Sequence, residues 1–133
     1  MSCRFPLEYG GVRTPTSQWT VTGSGAVVVS DTGIDCPKIK YVTTGKMVNK
    51  NVCDANNMGA AMAPAAANTI EQVFKDTDFK PNDFDVIVTG DLGIVGSDLL
   101  VKLLWSDDID ISDRHLDCGS MIFDAKSQGT KAG

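Results

Sequence analysis

Residues 56–104 read in succession as helix, strand, glycine-rich turn and helix: NNMGAAMAPAAANTIEQVFKDTDFKPNDFDVIVTGDLGIVGSDLLVKLL. A strand bracketed by two amphipathic helices belongs in an α/β layer, which confines the fold more tightly than any other stretch of the chain. The strand runs into TGDLG, and α/β folds place their ligands at the carboxyl ends of their strands. Thr89, Gly90 and Asp91 stand in that turn, with no His, Cys or Lys beside them.

The rest of the chain extends this pattern. Met58, Met62, Ala66, Ile70, Val73 and Phe74 recur at helical spacing. Asp54, Asn56 and Asn57 precede them as candidate caps, and Pro64 marks either a first turn or a kink. The apolar run at 84–89 predicts a central strand covered on both faces. A second helix is expected over 94–105, with Val95, Leu99 and Leu103 on one face and Leu100 and Leu104 beside it. Upstream, 18–31 and 39–48 are rich in β-formers and pair as a hairpin. Downstream, 117–124 reads as a further strand.

The order β-β-α-β-α-β predicts an α/β fold with a mixed sheet in a single partial domain over 1–133. Residues 1–18 are irregular, 19–48 form the hairpin, 54–124 form an α-β-α-β unit, and 125–133 are a flexible tail. Trp19 and Trp105 are expected as core anchors, and Met58 and Met62 as packing residues.

Charge narrows the partners. The net charge is −5 and the 12 basic residues are scattered, whereas nucleic acid needs a clustered basic surface. Cys3, Cys36, Cys53 and Cys118 include no C-x-x-C spacing, and the one histidine, His115, is not placed for zinc. Free thiols are the simple reading. The start MSCRFPLEYG lacks an apolar signal core. No apolar run approaches the roughly 20 residues of a membrane-spanning helix.

Four clusters have both a functional and a structural reading. Gly90, Gly93 and Gly96 at a strand-to-helix turn can cradle an anion on helix N–H groups, or can simply make a tight turn with close packing. Asp91 repels an anion there unless a cation intervenes. Gly23-Ser24-Gly25 is a second ligand contact or a strand bulge. His115 and Cys118, three apart beside Asp117, have the residue types of a nucleophile pair but no recognisable oxyanion donor or orienting third group, so a small packed cysteine is the default. The run Asp107, Asp108, Asp110, Asp113 and Asp117 lacks the glycine and glutamate of a calcium loop and reads as a solvated turn. No catalytic residue, metal site or cofactor is expected.

Five blocks, PTSQWTVTGSGAVVVSDTG, YVTTGKMV, DANNMGAAMAPAAANTIEQVFKDT, VIVTGDLGIVGSDLL and DCGSMIFDAKSQ, together closely resemble the stage V sporulation protein AD family of spore-forming bacteria. The resemblance covers the chain from about residue 4 to its end. It implies a thiolase-like architecture, of which this chain would be an internal piece within a five-layered α-β-α-β-α fold. A bare apolar face would then invite self-association as a homodimer. It also implies binding of dipicolinic acid, the pyridine-2,6-dicarboxylate of spores, alone or as its calcium complex. The setting would be its uptake into the forespore, beside other proteins of the same operon and peripheral to the inner membrane.

Thiolase-like condensing enzymes use a Cys nucleophile with His or Asn partners. In related synthases one such His follows the strand that VIVTGD resembles. Thr89, Gly90 and Asp91 occupy that stretch, and a carboxylate beside a thiolate raises its pKa. The expectation is therefore a non-catalytic binder with ligand contacts at Thr89, Gly90, Asp91, Gly93, Asp117 and Cys118. Helix-start N–H groups would supply donors, Asp91 would face calcium, and 117–119 would form a wall. A residual acyltransferase and a scaffold for the spore channel proteins are the alternatives.

Overall fold

The computed structural model describes residues 24–54 and 57–122, together with Asp124 and Ser127. The element order is helix α1 (Met58–Asp76), a 3-10 turn (Pro81–Asp83), strand β1 (Ile87–Thr89), helix α2 (Gly93–Trp105), strand β2 (His115–Asp117) and helix α3 (Cys118–Ile122). β1 and β2 pair in parallel with Ile87 opposite His115, Val88 opposite Leu116 and Thr89 opposite Asp117. Helix α2 is the crossover that a parallel pair requires. The chain is an α/β protein.

The two long helices form because their sequences carry both periodicity and caps. Asn57 Oδ1 accepts the Ala60 N–H at 3.0 Å, so the structure selects one of the three expected caps; Asn56 lies outside the described residues. Pro64 sits inside α1, in its second turn. Gly59, Ala63 and Ala67 make a buried i, i+4 stripe of small residues on α1. Leu92, Gly96, Leu100 and Leu104 make the facing stripe at and within α2. Small residues on one helix admit leucines from the other, and Ile111 closes this core. The buried face of α2 thus runs through 96, 100 and 104. Val95 is exposed, and Leu99 and Leu103 are only partly buried.

Four expectations change. The strand expected over 84–89 is only three residues long, and Val88 is 55% exposed, so β1 is not covered on both faces. The strand expected over 117–124 ends at Asp117, where the chain turns into α3. Its cause is local: Asp117 Oδ2 accepts the Ser120 N–H at 3.1 Å, an N-cap bond that starts a helix. Trp105 is 63% exposed and Met58 is also exposed, so neither anchors the core; Trp19 lies outside the described residues. Finally, residues 24–54 carry no strand among the described residues, where a hairpin over 19–48 was expected. A two-stranded ribbon needs a third strand or a covering helix, and Val27, Val28, Val29, Ile39 and Val42 are all solvent-exposed. Tyr41 ties this segment to the rest by an edge contact with Phe79, with ring centroids 5.0 Å apart.

Candidate functional site

Parallel pairing puts Thr89 at the carboxyl end of β1 directly opposite Asp117 at the end of β2. Helix α2 starts four residues beyond Thr89, and no local side chain caps it. Its first N–H groups therefore need an acceptor from elsewhere. Asp117 provides it. Oδ1 accepts the Leu92 N–H at 2.8 Å and the Thr89 hydroxyl at 2.8 Å. Oδ2 accepts the Gly93 N–H at 3.0 Å and the Ser120 N–H at 3.1 Å. The carboxylate is only 2% exposed, yet each oxygen has two donors. A buried charge is tolerable on those terms, and the start of α2 favours a negative group.

This finding revises the anion-cradle reading. An anion does sit at the helix start, but it is the protein's own carboxylate. The Leu92 and Gly93 N–H groups are taken up by it and are not donors for a ligand. Gly93 adopts φ 66°, which glycine allows at little cost, and this left-handed turn brings its N–H to Asp117. Gly90 is exposed and has open space around it. Asp91 lies with its carboxylate against Gly119, where a Cβ would collide with Asp91 Oδ1. Cys118 is a half-buried free thiol at the start of α3. The structure thus gathers Thr89, Asp91, Gly93, Asp117 and Cys118 around one knot, while Gly90 lies at its rim.

His115 was missed as a member of this group. Its Nε2 lies 2.8 Å from Thr89 Oγ1. Thr89 has a single hydroxyl proton, and that proton goes to Asp117 Oδ1. Towards His115 the same oxygen can only accept, so Nε2 carries a proton and donates. The result is a directed chain from imidazole to hydroxyl to carboxylate. Burial holds the imidazole below its ordinary value of 6.5, and the Asp117 charge opposes part of that shift. Near pH 7 the ring is neutral, with its proton on Nε2. The expected absence of an imidazole at this strand end is therefore corrected, since β2 supplies one across the sheet. The sequence signal was present: His115 and Asp117 alternate on a strand and so share a face.

The other candidates stand apart. Ser112 donates to Asp110 through both its N–H and its hydroxyl, which lowers the Asp110 pKa and makes a local turn. Among the described residues no group of three or more His, Cys, Asp or Glu side chains is placed to hold a metal ion. Gly25 is in open space, and Gly23 lies outside the described residues. No helix among the described residues is long and apolar enough to cross a membrane.

Comparison with known proteins adds two findings. The family model described as stage V sporulation protein AD matches residues 2–133. The stage V sporulation protein AD of Bacillus subtilis (strain 168) is 46% identical over 125 residues, covering 94% of this chain and 37% of that protein. The chain thus spans little more than a third of the length of this curated relative.

Proposed function

The chain belongs to the stage V sporulation protein AD family, and from that premise we propose that it contributes to a non-catalytic site for dipicolinic acid, serving its uptake into the forespore. The observation that carries the non-catalytic part is the state of Asp117. A general base needs an open lone pair within reach of a substrate proton. Asp117 has both oxygens doubly engaged and almost no exposure. It is framework. His115 turns its Nε2–H to Thr89, and no hydrogen bond joins it to Cys118 among the described residues.

The binding part rests on family membership and on the chemistry of the knot. A planar dianion needs donors and a way to offset its charge. With the helix-start N–H groups taken up, the imidazole edge is the remaining group of the knot suited to a carboxylate, and Asp91 and Cys118 belong to the same knot. Calcium carried by the ligand would answer the carboxylate of Asp91, because the calcium complex is neutral. The proposed setting is peripheral to the spore inner membrane, with proteins of the same sporulation operon and a second copy of the chain as partners.

One observation favours a second reading. An imidazole hydrogen-bonded through Thr89 to a carboxylate is also the outline of an acid–base relay, as a thiolase-like acyltransferase would use. Calorimetry on a full-length family member with these residues in place, titrated with dipicolinate in the presence and absence of calcium, separates the readings. Heat from dipicolinate but not from isophthalate, without thiol release from acyl-CoA, is the expected result. Thiol release that requires His115 would establish the transferase instead. Silence from every ligand would favour a scaffold.

A further inference from the structure

We infer that His115 is the ligand-facing group of this site, and that Thr89 and Asp117 are positioning residues which hold its ring in one tautomer so that Nδ1 meets the ligand. This inference rests on the dipicolinate reading and adds the contact and its control by pH. The geometry carries it. Nε2 is fixed on Thr89, and Thr89 is fixed on Asp117, which is itself fixed by three backbone N–H groups from two helix starts. Such a chain removes the ring's freedom to flip or to exchange tautomers. The ring is half-buried, and Nδ1 makes no hydrogen bond among the described residues.

The chemistry of Nδ1 then depends on one proton. In the neutral ring Nδ1 is an acceptor and offers nothing to a carboxylate. In the imidazolium it is a charged donor, the form a dianion selects. Among the charged and titratable groups, Asp117 on its own strand acts on the ring, Arg114 precedes it in the chain, and Asp91, whose carboxylate lies against Gly119, and Cys118, at the start of α3, belong to the same knot. Asp117 acts on the imidazole electrostatically, favouring its charged form, while burial opposes that form more strongly. The free site is therefore mostly neutral at pH 7, and a dianionic ligand draws a proton on as it binds. Affinity for dipicolinate should rise as pH falls from 7.5 to 5.5, by at most about tenfold per pH unit, because binding takes up no more than one proton.

The experiment is dipicolinate titration of a full-length family member carrying these residues, across that pH range, for the wild type and His115→Gln. The wild type should tighten on acidification and the variant should be flat. Calorimetry of the wild type at pH 6.5, in two buffers of different ionisation enthalpy, supplies a readout that needs no variant to fold. It should show proton uptake on binding. Binding without pH dependence and without proton uptake would overturn the role of His115 while leaving the dipicolinate reading in place. Absence of binding at every pH would overturn both.

Discussion

Asp117→Ala should destabilise the chain by about 3–5 kcal/mol, enough to remove most of the margin of a domain of this size. Four donors lose their acceptor together: the Thr89 hydroxyl and the N–H groups of Leu92, Gly93 and Ser120. Leu92 and Gly93 are buried, so water replaces the carboxylate poorly there. Asparagine should not rescue it. Each carboxylate oxygen takes two donors, so whichever way the amide is turned its NH2 faces two of them. Urea unfolding of the wild type, Asp117→Ala and Asp117→Asn measures the loss directly. A change below about 1 kcal/mol in both variants would show that the knot is not what holds β1, α2, β2 and α3 together.

The second large effect falls on the glycines, which share a sequence motif but not a job. At Gly96 a Cβ would lie 2.9 Å from the Gly59 Cα and 3.1 Å from the Gly59 carbonyl oxygen. At Gly59 a Cβ would collide with the Leu92 carbonyl and lie 3.0 Å from both N and Cα of Gly96. These obstacles are backbone, which cannot swing aside as a side chain can. Alanine gains about 1 kcal/mol in helix propensity, but forcing two close-packed helices apart costs about 1–3 kcal/mol. The double substitution Gly59→Ala/Gly96→Ala meets both obstacles at once, and because they are backbone its overpacking cost lies at the upper end, so it should be destabilising by about 2–4 kcal/mol net of the propensity gain. Gly93→Ala should lose about 1–2 kcal/mol through its left-handed backbone. Gly90→Ala should stay within about 0.5 kcal/mol. Thermal unfolding of the set gives the ranking. Equal effects at Gly90 and Gly96 would refute the assignment of the close helix contact.

The helices were legible because their signal is local. Repeating apolar positions and an asparagine cap place α1, and the leucines of 99–104 place α2 within a residue of its start. The glycine run was legible as a tight turn, and its division into rim, left-handed turn and helix contact was not. That division depends on where α1 crosses, and Gly59 lies 37 residues before Gly96. The same limit explains β2 and α3. The stretch DCGSMIF is apolar enough for a strand, but the carboxylate of Asp117 caps two helix starts, and one of those lies some 25 residues earlier. Sequence spacing cannot show that an acceptor from one strand completes a helix after another. His115 was overlooked for this reason too. Reading the turn after β1 for an imidazole ignores the neighbouring strand, whose register sets Thr89 opposite Asp117 and brings the ring to the same hydroxyl.

The exposed valines of 27–29 and 86–88 mark where propensity and packing part company. Their composition announces strands, yet a strand persists only where another backbone pairs with it. Among the described residues that condition is met for three residues of each strand.

Because the chain has one histidine, nitrogen-15 NMR of its imidazole near pH 7.5 is the most direct test of the chain of hydrogen bonds on which the site depends. The account predicts a single neutral tautomer protonated at Nε2, lost to a mixture in Thr89→Val. A ring protonated at Nδ1, or a tautomer ratio unchanged by Thr89→Val, would contradict it.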